Sequence, residues 1–272
     1  MQQQFSSDEI AQAVGSRSVT YLGTGSFGET WRIQTPDRDA AYKIIYRDDS
    51  SSERLKREIR SYRRVASTNV VRLDDAFRLN ISGRRYATLA FEYIDGGDLA
   101  VAITDGQPNS GQLLDLASGL LCGLSALHSA ELLHRDLKPA NIALRNGDFS
   151  HPVILDLGLA KLLDVESITR YPTTIGTPMY MAPEQLRGER AIRASDMWAV
   201  GAVLYEAAVG VHPFIKAGEN IEWEAFFERL KSRPDIPEWI PFEVSDLISR
   251  CLSDPPYKRG TVAKAISRLK GK

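Results

Sequence analysis

Nine consecutive residues, Leu133-His134-Arg135-Asp136-Leu137-Lys138-Pro139-Ala140-Asn141, gather a carboxylate, a cation and a hard oxygen ligand into one loop. Moving a phosphoryl group requires a carboxylate near the attacking hydroxyl, a cation on the transferred phosphate, and oxygen ligands for Mg²⁺. Asp136, Lys138 and Asn141 supply one of each. Further on, Ile154-Leu155-Asp156-Leu157-Gly158 sets a second oxygen ligand at the end of an apolar run. Mg²⁺ takes one or two protein oxygens and fills its remaining positions with phosphate and water, so Asn141 and Asp156 suffice.

Two upstream features complete a phosphate site. Gly23-Thr24-Gly25-Ser26-Phe27-Gly28 is a G-x-G-x-x-G turn, whose glycines let backbone N–H groups approach phosphate oxygens. The same spelling opens dinucleotide-binding folds, but there it leads into a helix; here it leads into the strand-like E-T-W-R-I-Q. Read alone, the motif favours a hairpin over a nucleotide, with a tight turn without a ligand as the lesser reading. Lys43 lies in the strand A-Y-K-I-I, where alternation could also turn it to solvent. Glu58 falls beside Leu55, Ile59 and Tyr62 on the apolar stripe of the next helix. A buried carboxylate is costly without a partner, so a Lys43–Glu58 pair accounts for both residues and aims the ammonium at phosphate.

The elements that must carry these residues change character along the chain. Val19–Leu22, Glu29–Gln34, Ala40–Tyr46, Val70–Leu73 and Tyr86–Tyr93 read as strands, with one helix opening at the S-x-x-E box of Ser50 and Glu53. Beyond Gly96-Gly97 the pattern turns helical. Leu113, Ala117, Leu120, Leu121, Leu124 and Leu127 mark a long buried helix, and others are expected near 196–209, 244–252 and 262–269. Strands followed by helices indicate an α+β arrangement: a first part over 1–94, a second over 95–272, and a hinge near Asp95-Gly96-Gly97.

Composition sets outer limits. The 272 residues carry a net charge of -1, 43% hydrophobic and 25% charged residues. This balance supplies no electrostatic reason to expect nucleic acid or an anionic membrane surface as partner. Met1–Ile10 lacks the apolar core of a signal sequence, and no stretch reads as a membrane span. Cys122 and Cys251 are far apart and read as buried thiols, consistent with the cytoplasm. His128, His151 and His212 show no ligand spacing and read as surface or helix-end residues, and Ile221–Leu230 reads as core with one exposed edge.

Taken together, the motifs resemble the eukaryotic-type (Hanks-type) serine/threonine protein kinases from about Leu22 to Leu269. The resemblance rests on the glycine turn, A-x-K at Ala41–Lys43, H-R-D-L-K-P-A-N, D-L-G at Asp156–Gly158, G-T-P-M-Y-M-A-P-E at Gly176–Glu184, D-M-W-A-V-G at Asp196–Gly201, and Arg259. It implies a bilobal fold, with a small antiparallel N-lobe containing one key helix and a larger helical C-lobe. It also implies ATP and Mg²⁺ as cofactors and the Ser/Thr hydroxyls of proteins as acceptors. Asp136 would be the base or orienting carboxylate, Lys138 the γ-phosphate contact, and Thr177 the bridge between them. Phe91 would be the gatekeeper, the Glu92 carbonyl and Ile94 amide would meet the adenine edge, and Asp98 would reach the ribose. Glu184 and Arg259 would form a buried ion pair, and Asp196 would anchor the catalytic loop.

Arg54, Arg135 and Lys161 map towards one place in this family. An anion there, on Thr173 or Thr174, would complete the pocket; solvated surface cations are the alternative. Thr30 stands where the family usually has valine above the adenine, and Ala143 where a larger aliphatic residue usually lies below it; both reduce apolar contact, which implies weaker ATP binding or tolerance of bulkier adenine analogues. A pseudokinase scaffold is the competing reading. It would be expected to lack Lys43, Asp136, Asn141 or Asp156, and all four are present. A regulatory partner protein is a further expectation.

Overall fold

The computed structural model describes residues 3–16, 18–25, 28–36, 38–46, 56, 59–60, 62–156, 178–216, 218–219 and 221–271. They fall into two compact units. The first takes in the chain up to Ala66 and Val71–Tyr93; the second takes in Ser67–Val70 and the chain from Ile94 onward.

The first unit is a five-stranded antiparallel sheet in the order β1-β2-β3-β5-β4, comprising β1 (Val19–Gly25), β2 (Gly28–Ile33), β3 (Ala40–Ile45), β4 (Leu73–Ile81) and β5 (Arg84–Glu92). The strand expected at Val70–Leu73 starts only at its last residue and runs on to Ile81. Its aspartates and arginine hid it, because β4 is an edge strand with exposed positions at Asp75, Arg78 and Asn80. Ser82 and Gly83, both at positive φ, turn it tightly into β5.

One face of this sheet is covered by α1 (Ser7–Val14), a helix not anticipated from the polar N-terminus. Its signal is local. Ser6 and Glu9 form a reciprocal capping box, Gly15 at φ 66° ends the helix, and Ile10, Ala13 and Val14 recur at helical spacing. Ile10 packs with Phe5, Trp31, Ile33, Ile44, Leu79, Ile81 and Tyr86 in a core on that face. Because strand side chains alternate, Ala41, Lys43 and Phe91 belong to the opposite face.

The second unit is built on α3 (Ser110–Ser129), which packs against α5 (Arg193–Val209), α7 (Phe242–Cys251) and α8 (Val262–Leu269). A capping box between Asn109 and Gln112 starts α3, and its leucines from Leu113 to Leu127 are buried. With a mean hydropathy of 1.2, α3 is long and apolar enough to cross a membrane, contrary to the expectation from sequence; half of it is buried in protein as a core helix. Among the described residues the remaining α-helices of this unit are α2 (Leu99–Asp105), α4 (Pro183–Leu186) and α6 (Trp223–Leu230), the last burying Phe226 and Leu230 as the expected core side of its segment. A two-stranded ribbon, β6 (Ile142–Leu144) with β7 (Pro152–Ile154), lies against α3 and carries the site residues at its ends. Gly96 is indispensable at the base of this ribbon: a Cβ there would lie 1.9 Å from the Leu144 carbonyl oxygen and 2.0 Å from the Gly147 nitrogen.

The cysteines differ from expectation in one respect. Cys251 is buried, and burial pushes its thiol up to about 12, whereas Cys122 is exposed.

Candidate active site

The second unit holds the loop Leu133–Asn141, the expected catalytic loop. Leu132, His134, Leu137, Pro139 and Asn141 are buried, so the intervening Arg135, Asp136 and Lys138 are turned partly outward. The Lys138 Nζ lies 3.4 Å from Asp136 Oδ2. Asn141 Nδ2 donates to the Asp136 carbonyl at 2.7 Å and reaches its Oδ2 at 3.4 Å. That orientation leaves the Asn141 side-chain oxygen, a hard ligand, pointing away from these bonds. The Leu155 N–H donates to the Asn141 carbonyl at 2.8 Å, which fixes the chain position of Asp156 next to Asn141. These oxygens suit Mg²⁺. Among the described residues no three His, Cys, Asp or Glu side chains cluster as an all-protein metal cage.

His134 ties the loop to β7. Its Nδ1 accepts the Asp136 N–H at 3.3 Å, so Nε2 carries the proton and donates to the Leu155 carbonyl at 2.8 Å. Asp196, buried at the start of α5, accepts from the N–H groups of His134 at 3.1 Å and Arg135 at 2.8 Å. His128 Nε2 meets the same carboxylate at 2.8 Å. His128 is thus a buried structural partner in the last turn of α3, which meets the helix-end alternative and not the surface one. The signal was its place on the apolar stripe of α3, four residues after Leu124.

The segment preceding α5 is equally well anchored. Arg259 forms two bonds to Glu184, at 2.7 and 2.9 Å, and uses its other donors on the carbonyls of Ser253, Ala194 and Asp254. Burial pushes the Glu184 carboxyl upward, but the Arg259 guanidinium and the Ser195 hydroxyl outweigh it and hold it below its ordinary range. Tyr180 donates to Glu206 at 2.5 Å; burial raises both groups. His212 packs edge-on against the Tyr180 ring, and burial depresses it to about 4. His212 is half-buried just past the end of α5, in keeping with the helix-end reading, and sequence spacing carried no signal for the Tyr180–Glu206 pair. His151 is exposed beside Asp148.

The first unit holds the other expected residues. Lys43 is half-buried on β3, paired across the sheet with Thr30 and Leu89. Ala41 lies opposite Phe91, which is buried against the Tyr62 ring at 5.6 Å. Glu92 closes β5, where its side chain and N–H both bond Arg72. Gly23, Thr24 and Gly25 end β1, and Gly28 opens β2. Gly28 has a duty beyond phosphate approach: a Cβ there would lie 1.9 Å from the Ile44 carbonyl oxygen.

In the second unit, Ile94 is buried and Asp98 caps α2, accepting the Val101 N–H at 2.9 Å. Asp98 also bridges Ala143, which is buried on β6. Ser26, Phe27, Arg54, Glu58, Leu157, Gly158, Lys161, Thr173, Thr174 and Thr177 lie outside the described residues.

Comparison with known proteins agrees with this geometry. The family model for the protein kinase domain matches residues 17–269. The chain is 34% identical over 93% of its length to the probable serine/threonine-protein kinase PkwA of Thermomonospora curvata, covering 33% of that protein. It is 32% identical over 88% of its length to the serine/threonine-protein kinase PkaA of Streptomyces coelicolor, covering 46% of it. It therefore spans a third to a half of these relatives. A crystal structure of Rad53 1-466 in complex with AMP-PNP is similar in fold, with a TM-score of 0.73 at 25% identity over 92% of this chain and 63% of that one. The five-stranded antiparallel unit, the helical unit and the ordered motifs thus have one common explanation, and the chain belongs to the protein kinase domain family as a Hanks-type serine/threonine kinase catalytic domain.

Proposed function

We propose that this chain transfers the γ-phosphate of ATP to Ser or Thr hydroxyls of proteins. The observation that carries this reading is that the Lys138 and Asn141 side chains both come within 3.4 Å of the Asp136 carboxylate on a loop anchored from beneath by Asp196. In this reading Asp136 orients the acceptor hydroxyl and takes its proton, while the Lys138 ammonium stabilises charge on the transferred phosphate. Asn141 and Asp156 would hold Mg²⁺, which when bound neutralises charge on the phosphates. Lys43, on the sheet face opposite α1, would contact the phosphates, and the buried Phe91 would bound the adenine pocket.

Incubation with ATP and Mg²⁺, read by mass spectrometry and by phosphate transfer to a generic protein acceptor, tests the reading. Wild type is expected to incorporate phosphate, with Thr173 or Thr174 as the autophosphorylated positions. Asp136→Ala is expected to lose ~10²–10⁴-fold in rate at unchanged Tm. Equal activity in Asp136→Ala would overturn the assignment.

A further inference from the structure

The back of the phosphate-binding sheet carries a buried polar chain that runs from the N-terminal segment to the glycine turn. Glu29 directly follows Gly28, and its side chain is 0% exposed. A carboxylate so placed must be satisfied by the protein. Its Oε2 accepts the Gln4 N–H at 3.1 Å and its Oε1 accepts the Phe5 N–H at 3.1 Å. The Tyr46 hydroxyl donates to Oε2 at 3.0 Å. Thr24, a member of the glycine turn, bonds the Tyr21 hydroxyl. Thr24 and Glu29 are direct partners across the β1–β2 pair, so the chain closes on the hairpin that bears Gly23, Gly25 and Gly28.

Apolar packing holds the other end. Phe5 sits edge-on to Tyr86 at 5.0 Å and to Tyr46 at 6.1 Å, and Ile10 is fully buried in the same core. The Glu9 carboxylate accepts the N–H of the N-cap residue Ser6 and also the Ser82 hydroxyl, tethering α1 to the β4–β5 turn. None of these groups is on the Lys43 face, so direct nucleotide contact does not account for their burial. The protein kinase domain match begins at residue 17, after α1 has ended. The arrangement therefore lies partly outside what the family shares.

We propose that the segment Gln4–Val14 is a clamp that sets the conformation of the glycine turn from the rear of the sheet, with Glu29 as the positioning residue. Glu29, held by the Tyr46 hydroxyl and the N–H groups of Gln4 and Phe5, acts by fixing the start of β2 and with it Thr24, its direct partner across the β1–β2 pair. Its consequence is for nucleotide affinity more than for the chemical step, because the turn binds phosphate while Asp136 and Lys138 belong to the other unit. This consequence rests on the ATP reading above; the clamp itself does not.

The test uses the full chain and two variants that delete little volume. Glu29→Gln sets an amide N–H against one of the two backbone donors, and Tyr46→Phe removes only the hydroxyl. Amide hydrogen exchange of the ligand-free protein is expected to speed up in Tyr21–Trp31 in both variants, with Arg84–Glu92 unchanged. Calorimetric titration with AMP-PNP and Mg²⁺ is expected to give about three- to tenfold weaker binding in each variant, the range one lost hydrogen bond supplies. If exchange in Tyr21–Trp31 is unchanged, or rises equally throughout the sheet, the clamp is refuted and Glu29 is merely a buried structural residue. Wild type that binds no AMP-PNP would instead overturn the ATP reading, and the exchange comparison would still decide the clamp. Should Glu29→Gln fail to fold, Tyr46→Phe carries both measurements.

Discussion

Asp196 Oδ1 accepts the backbone N–H of Arg135 at 2.8 Å, holding a non-glycine residue at φ 66° immediately before Asp136. A left-handed conformation costs such a residue of order 1–3 kcal/mol and persists only where its surroundings impose it. The Asp196 carboxylate imposes it, since it also takes the His134 N–H and His128 Nε2. Asp196→Asn replaces one acceptor with a donor facing those N–H groups. The expected outcome is a ~10²-fold lower kcat, the scale of a small misplacement of a reacting group. Steady-state kinetics beside a melting curve would check this; an unchanged kcat would show that the loop conformation does not depend on Asp196.

The Glu184–Arg259 pair is fully enclosed, with every guanidinium donor bonded and the Trp198 ring at 5.0 Å. Arg259→Met leaves Glu184 charged and uncompensated in the interior. A loss of ~3–5 kcal/mol is expected. Calorimetric melting should show it, and the double variant Glu184→Gln/Arg259→Met should recover part of it. A single variant that melts like wild type would contradict the pair's structural role.

Stability should depend on His212 in acid. Its folded pKa of about 4 lies below the unfolded 6.5, because burial disfavours the imidazolium. Above pH 6.5 both states are neutral and the contribution is fully present; as pH falls towards 4 the unfolded state takes up the proton first and stability is lost. The shift corresponds to roughly 3 kcal/mol. Glu206, raised by burial, acts in the opposite direction. The comparison that isolates His212 is therefore urea unfolding of wild type against His212→Gln from pH 7 to 4. Parallel curves would refute the assignment.

Two glycines of one motif should part company. In Gly28→Ala the new Cβ meets the Ile44 carbonyl at 1.9 Å, so β2 and β3 must separate and stability should fall by at least ~1–3 kcal/mol. At Gly25 the nearest atom is 4.0 Å away, so Gly25→Ala should melt like wild type and lose nucleotide affinity instead. Thermal melts and AMP-PNP titrations of the two variants check this contrast.

Much of the candidate site was legible in the chain because it is local. Asp136, Lys138 and Asn141 share one short loop, so their spacing alone brings them together. The long helix announced itself through leucines recurring at its own period, and the strands through continuous apolar runs. Where a residue's meaning depends on a distant partner, spacing carried little. The polar edge strand β4 depends on β5 for its pairing. His128 gains its role from Asp196, sixty-eight positions away, and Tyr180 from Glu206. Glu29 read as one more residue after a glycine turn, until folding brought the N–H groups of Gln4 and Phe5 to its carboxylate. The physical reason is common to all of these. A loop's reactive groups are placed by the covalent chain, whereas burial of a charge and the donors that satisfy it are properties of a neighbourhood that forms only when remote segments pack together.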